Sequence, residues 1–346
     1  MRYSFVVPIY GDGALARDFC VELENVFAKH LDVEDISHDL ELIFVDDGSR
    51  NDSAAIVKKT CDEFSFAKLI VLSRNFGQHI AISAGYRHAR GQYVGMLNVD
   101  QEDPPDQLLV LLAPLEKGDF DIVGGLYERR DVPLLAKATS YLFNLVLNRL
   151  TGYDAPVNTS TARIMNRRFL DAYNSLVERS RFIPGLELWL GFRYGRVRVN
   201  HQGRKVGKSS YNFRRRLRMA QDAVISFSDF PLKMTVKFGF VVVSIGLLLL
   251  LALLIDKLFF RDFLPGYVST ITTVVFLGGI QVLVTGVACL YIGRILAEVQ
   301  GRPLFVVRET FGDLAEPIAS LPLTPQRPAG KPRDHEPSED SRGLPR

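Results

Sequence analysis

The residues best suited to chemistry lie in one run, Leu97-Asn98-Val99-Asp100-Gln101-Glu102-Asp103-Pro104-Pro105. Asp100, Glu102 and Asp103 are hard oxygen donors, and Asn98 adds an amide oxygen. Such donors suit a divalent cation, and a cation of that kind bridges phosphate oxygens. The apolar stretch Val94 to Leu97 enters the cluster as a buried strand would, and Pro104-Pro105 stops regular structure behind it. Carboxylates at the end of a buried strand stand where α/β sheets bind ligands. A charged loop between a strand and a helix is the other reading of the same residues.

A sheet must position this cluster, and the N-terminal half supplies the pattern of one. Tyr3 to Ile9 reads as a buried strand, broken by Gly11-Asp12-Gly13. Leu15, Phe19, Leu23, Val26 and Phe27 then recur at helical spacing. Leu40 to Val45 is a second strand, ended by Asp46-Asp47-Gly48-Ser49, with Asp52 or Ser53 placed to cap the next helix. Lys68 to Leu72 is a third strand, Ala81 to Ala89 a helix, and Gln92 to Leu97 a fourth strand. Alternation of this kind indicates βαβ units and a mostly parallel sheet covered on both faces. Three polar clusters fall at strand ends: Pro8 to Tyr10, Asp46 to Ser49, and Asn98 to Asp103.

Other chemistries are disfavoured. The dinucleotide fingerprint G-x-G-x-x-G and the Walker phosphate loop are both missing after the first strand. The three cysteines (Cys20, Cys61, Cys289) form no CxxC pair, so neither a disulfide framework nor a zinc site is expected. The chain has 346 residues and a formal net charge of +3, enough for about two domains. No signal-peptide pattern follows Met1, so the soluble part is expected in the cytoplasm.

Val7-Pro8-Ile9-Tyr10, Val45-Asp46-Asp47-Gly48-Ser49, Asn75-Phe76-Gly77-Gln78 and Asn98 to Pro105 together resemble the ordered motifs of family 2 glycosyltransferases with a GT-A fold. More narrowly, the chain is similar to the polyprenyl-phosphate glycosyltransferases, over most of residues 3 to 310. The resemblance implies a Rossmann-like α/β catalytic domain. It implies that Pro8, Tyr10, Asp46, Asp47, Gln78, Asn98 and Asp100 bind a nucleotide sugar. It also implies Mg²⁺ or Mn²⁺ held by Asp100, Glu102 and Asn98, which fall on the family's D-x-D-x-Q cluster. Two positions depart from that pattern: Asn98 replaces the first aspartate, and Glu102 replaces the glutamine. Tyr10-Gly11-Asp12 stands where the family has Tyr-Asn-Glu.

The middle of the chain would serve the acceptor. Ala138 to Leu150 reads as an amphipathic helix. Thr161-Ala162-Arg163-Ile164 corresponds to a D-F-R-L segment in relatives, whose aspartate is a proposed base. Thr161 cannot be a base, whereas Arg163 is retained. The phosphate of a polyprenyl phosphate is already largely ionised at neutral pH, with a second pKa of about 6. Its oxygen can attack an anomeric carbon without losing a proton. Catalysis then rests on positioning and on neutralising the leaving diphosphate. Glu187 is the reserve candidate for a base. Arg204-Lys205-Val206-Gly207-Lys208-Ser209-Ser210-Tyr211 resembles the family's R-x-x-G-x-S-K-Y loop, with the serine-lysine order changed. Arg204, Lys208, Ser210 and Tyr211 would hold phosphate there, and Asp100, Arg163, Arg204 and Glu187 form the candidate catalytic set.

The chain then turns apolar. Phe213, Leu217, Ala220, Val224 and Phe227 share one helical stripe opposite arginines, the pattern of an interfacial helix. Phe238 to Ile255 and Tyr267 to Ile292 each approach the roughly 20 apolar residues that span hydrocarbon. Lysines and arginines before the first and after the second place both ends in the cytoplasm. The expected organisation is a catalytic domain over 1–211, an interfacial region over 212–232 and two membrane helices within 233–293 (about 238–255 and 267–292). A juxtamembrane segment over 294–313 and a disordered tail over 314–346 follow. Gly278-Gly279 and Gly286 would allow close helix approach and a homo-oligomer.

The expected function is a membrane-anchored, inverting, metal-dependent glycosyltransferase of the inner membrane, feeding the cell envelope. Its partners would be a nucleotide sugar, with UDP favoured, and undecaprenyl phosphate in the bilayer; no nucleic acid is expected. A processive polysaccharide synthase is one alternative, weakened by the lack of a Q-x-x-R-W motif. A catalytically degenerate membrane scaffold is the other.

Overall fold

The computed structural model describes residues 1–101, 103–127, 159–179, 181–199, 230–259 and 266–316. Glu102, the expected helix at 138–150, the Arg204 to Tyr211 loop, the interfacial stripe at 213–227 and the tail from 317 lie outside these described residues.

Eight strands form one sheet: β1 (Tyr3–Ile9), β2 (Leu40–Asp46), β3 (Ala67–Leu72), β4 (Tyr93–Met96), β5 (Ile122–Tyr127), β6 (Thr159–Asn166), β7 (Tyr194–Val199) and β8 (Val307–Phe311), in the order β7-β5-β6-β4-β1-β2-β3-β8. β1 pairs in parallel with β2 and β4, β2 with β3, and β5 with β7. β6 runs antiparallel between β4 and β5, and β8 runs antiparallel along β3. The sheet is thus mixed but rich in parallel pairs.

Helices cover both faces. α1 (Ala16–Leu31), α2 (Ser53–Glu63) and α4 (Asp106–Glu116) lie on one side, and Phe19, Leu23, Phe27, Val57 and Leu111 pack with Phe5, Val7 and Phe44. α3 (Gln78–His88), α5 (Arg167–Ser175) and α6 (Ile183–Trp189) lie on the other, where Ile82, Phe169 and Leu186 join Val6, Ile43 and Val45. Alternate residues of β1 and β2 go to opposite clusters, as the period of a strand requires. Burial on both faces explains why these strands read as continuous apolar runs rather than alternating ones.

The four anticipated strands form within a residue or two of their expected bounds. α3 begins earlier than the expected Ala81, because the loop before it is held in place at Gly77. Asp52 is the N-cap of α2 but makes no side-chain cap bond. Two long helices follow, α7 (Phe230–Phe259) and α8 (Tyr267–Val299), each longer than the expected span. Among the described residues one segment, Phe276–Val299, is long and apolar enough to cross a membrane, and none of it is buried in protein. Within the expected juxtamembrane segment over 294–313, the first residues end α8 and Val307–Phe311 form β8. After α8 the chain returns as β8, and Ser73 N donates to Val306 O at 2.9 Å.

Candidate active site

The carboxyl ends of β1, β2 and β4 come together as the sequence pattern requires, and hydrogen bonds tie their loops to one another. Asp46 and Asp47 end β2 and are both buried. Asp46 binds the hydroxyl and the amide of Ser49. The Ser49 hydroxyl in turn accepts from Gly11 N at 2.9 Å, and Asn51 Nδ2 donates to Gly11 O at 2.9 Å. The β1 loop carrying Tyr10 is therefore latched to the β2 loop, and the Tyr10 side chain stands exposed beside them. Gly48 is required at the turn. Its φ is +68°, and a Cβ there would sit 2.4 Å from the backbone of Arg74.

Asp47 is spent on the third loop. Its oxygens accept from Phe76 N at 2.7 Å and Gly77 N at 2.9 Å. Burial raises its pKa above the usual carboxylate range, against the pull of those two amides. A contact to base or ribose would add to this duty of holding residues 73–77.

The acidic run itself is organised by a strand far away in sequence. β6 lies antiparallel to β4, with Met96 opposite Arg163, so Thr161 reaches the end of β4 beside Asn98. Gln78 Nε2 donates to Asn98 Oδ1 at 3.0 Å, Asn98 Nδ2 donates to Thr161 Oγ1 at 3.0 Å, and Thr161 Oγ1 donates to Asp103 Oδ2 at 3.0 Å. Ala162 N also donates to Asp103 Oδ2, at 3.3 Å. Gln101, between Asp100 and Asp103, has φ +55°, a left-handed conformation rare for a residue with a side chain. Strained backbone of this kind concentrates at functional sites.

Arg163 and Glu187 form a second buried unit. Arg163 Nη1 donates to both Glu187 oxygens, at 2.9 and 2.8 Å, and Arg163 Nε donates to Thr161 O at 3.1 Å. Burial pushes the Glu187 carboxyl up and the guanidinium opposes it; Arg163 stays charged because Glu187 offsets its own burial. Glu187 thus has a partner that holds it still. His79 lies close by, edge-on to Phe182. Burial, and then the Arg163 charge, lower its pKa to about 4.

Among the described residues no three His, Cys, Asp or Glu side chains gather into a metal cage. Among the described residues this loop offers the Asp100 carboxylate and the Asn98 amide oxygen, which accepts from Gln78 Nε2. That set fits a cation such as Mg²⁺, which takes one or two protein oxygens and draws its remaining ligands from diphosphate and water.

Of the expected site residues, Pro8, Tyr10, Asp46, Asp47, Asn98 and Asp100 fall at adjoining strand ends, and Gln78 at the start of α3 reaches Asn98. Arg163 and Glu187 lie beneath them, while Glu102, Arg204, Lys208, Ser210 and Tyr211 fall outside the described residues. Sequence reading missed the roles of Ser49, Thr161 and Asp103 as connectors. The strand pattern of Thr159 to Asn166 was the available signal, but its partner strand was not.

Residues 4–173 match the family model described as glycosyl transferase family 2. An uncharacterized glycosyltransferase of Synechocystis sp. is 32% identical over 323 residues, covering 93% of this chain and 99% of that protein. The chain belongs to glycosyltransferase family 2. This glycosyltransferase is also 30% identical, over 90% of its length and 95% of the other's, to the uncharacterized glycosyltransferase YkcC of Bacillus subtilis. An undecaprenyl-phosphate 4-deoxy-4-formamido-L-arabinose transferase of Pseudomonas fluorescens is 30% identical, with 92% of each chain covered. The family match runs from β1 through α5 and so includes every strand end described above. The parallel-rich sheet is the GT-A domain of this glycosyltransferase, and its long helices lie beyond the matched residues.

Proposed function

We propose that this glycosyltransferase moves a sugar from a nucleotide diphosphate, with UDP preferred, to the phosphate of undecaprenyl phosphate, inverting the anomeric carbon. The observation that carries the acceptor is the near full-length similarity to a transferase named for undecaprenyl phosphate. The donor reading rests on Asp46, Asp47, Asn98 and Asp100 at adjoining strand ends, with Gln78 at the start of α3 bonded to Asn98. An acceptor phosphate oxygen attacks the anomeric carbon, the bond from that carbon to the diphosphate breaks, and the nucleotide diphosphate leaves with the electron pair. The acceptor oxygen needs no base, which agrees with Thr161 at its position and with Glu187 tied to Arg163. Mg²⁺ or Mn²⁺, held by Asp100 with Asn98 and Glu102, would supply charge neutralisation to the leaving diphosphate. Arg204, Lys208, Ser210 and Tyr211 would receive the acceptor phosphate.

Topology supports membrane anchoring by α7 and α8. The catalytic sheet precedes α7, and β8 rejoins it after α8. Sheet strands on both sides of the helices suit a pair that crosses together rather than singly. Positive residues on both flanks support a cytoplasmic sheet and an inner-membrane location.

The test is a screen of nucleotide sugars with the purified full chain and radiolabelled undecaprenyl phosphate, repeated with Asp100→Ala. One donor should give labelled lipid, and the variant should lose it. Transfer unchanged in Asp100→Ala would remove the metal-diphosphate role, and no transfer from any donor would favour the scaffold reading.

A further inference from the structure

The hydrogen bonds around Asn98 have a direction that a single carboxylate sets. Asp103 is 1% exposed. Its Oδ2 accepts from Thr161 Oγ1 and, at 3.3 Å, from Ala162 N. The Thr161 hydroxyl has one proton, and it goes to Asp103 Oδ2 at 3.0 Å. Toward Asn98 that hydroxyl can therefore only accept, so Asn98 must turn its NH₂ to Thr161, at 3.0 Å. The Asn98 carbonyl oxygen is left facing the other way, where it meets Gln78 Nε2 at 3.0 Å. Every step excludes its reverse.

The second oxygen of Asp103 supports this role. Oδ1 is buried and has no hydrogen-bond partner among the described residues. A buried acceptor without a partner is unfavourable, and an asparagine would fill the same space as a neutral group. An amide, however, can present either an oxygen or an NH₂ to Thr161. Only the carboxylate leaves the chain one direction.

We infer that Asp103 is a positioning residue: through Thr161 it holds Asn98 with its amide oxygen outward, so that a neutral side chain supplies an oxygen to the donor diphosphate's cation. The inference rests on the proposed reading of the Asn98 to Asp100 run as the diphosphate-metal site. A reversed Asn98 would direct N–H groups at the cation. An aspartate in its place would need no such control, because its two oxygens are equivalent. The dependence on Thr161 is therefore specific to the asparagine.

That specificity gives the test. Mn²⁺ is titrated into the purified full chain by calorimetry, in the presence of UDP and separately of GDP, with thermal melting to check folding. Thr161→Val should weaken Mn²⁺ binding by roughly 10- to 100-fold, the usual effect of removing a residue that orients a ligand. Thr161→Ser, which keeps the hydroxyl, should restore most of it. With Asn98→Asp in place, Thr161→Val should change Mn²⁺ affinity by no more than about twofold. Asp103→Asn, read in the same two backgrounds, gives a second and independent comparison should the valine variant fail to fold. Unchanged Mn²⁺ affinity in both single variants would overturn the inference. So would an equal loss in the Asn98 and Asn98→Asp backgrounds, which marks a merely structural role. If the unmodified chain binds Mn²⁺ with neither nucleotide, the functional reading itself fails and takes the inference with it.

Discussion

Arg163 Nη1 stands 2.9 and 2.8 Å from the two oxygens of Glu187, and both side chains are nearly sealed from solvent. A pair in this setting is not a strong net stabiliser, but breaking it leaves one charge buried alone. Glu187→Ala should therefore destabilise the catalytic domain by about 3–5 kcal/mol. Urea unfolding measures this. Arg163→Met combined with Glu187→Leu should recover much of the loss, since both charges are then gone. If Glu187 were also a base, the Arg163→Met, Glu187→Leu pair would recover stability without recovering transfer.

Asp47 organises a loop through two amides. Asp47→Ala leaves Phe76 N and Gly77 N without acceptors and frees residues 73–77 ahead of Gln78. Faster hydrogen exchange at those two amides is expected, together with a higher KM for the nucleotide sugar. A substitution that raised KM while leaving exchange unchanged would point to direct donor contact instead.

The pKa of His79 implies an acid-side loss of stability. The ordinary value is 6.5 and the folded one is about 4, because burial and the Arg163 charge disfavour the imidazolium. The unfolded chain therefore binds the proton first as pH falls. Stability from this group is complete above about 6.5, declines between 6.5 and about 4, and declines no further below that. His79→Phe should flatten the slope of unfolding free energy against pH across that window, and denaturant titrations at several pH values would show it.

β8 closes the edge of β3 and is joined to the body of the domain by side chains as well. Arg90 donates to both Asp313 oxygens, at 2.8 and 3.3 Å, and Lys58 Nζ lies 3.9 Å from the Phe311 ring centre. Ending the chain at residue 306 should lower the melting temperature and expose the β3 amides to exchange. Arg90→Ala should do little, because that pair is at the surface and screened. Equal effects of the two changes would contradict a backbone-centred role for β8.

Much of the candidate site was legible locally. Buried parallel strands are continuous apolar runs, and their ends are marked by the polar residues that follow, so Pro8 to Tyr10, Asp46 to Ser49 and Asn98 to Asp103 could be aligned without a structure. The match of motif order to a glycosyltransferase family could be read at the same level. Duties within those clusters could not be. Whether Asp47 faces a ligand or holds the Phe76 amide depends on where another loop lies, which no residue type declares.

What the sequence by itself determined is the α/β class, the carboxyl-end location of the candidate site, the oxygen-rich chemistry of Asp100 and its neighbours, and the apolar character of the two long helices. Each follows from the short-range periodicity of side chains along one segment. Tertiary structure alone decided that Thr161 meets Asn98, that Glu187 is bound to Arg163, and that β8 returns to β3. The first and third depend on register between strands far apart in sequence, where a shift of one position would turn every side chain to the opposite face, and the second on how the α6 helix packs against β6. The unusual Asn98 is the clearest case: its identity was plain in the sequence, but its amide is bonded to Gln78 on one side and, through Thr161 of β6, to Asp103 on the other.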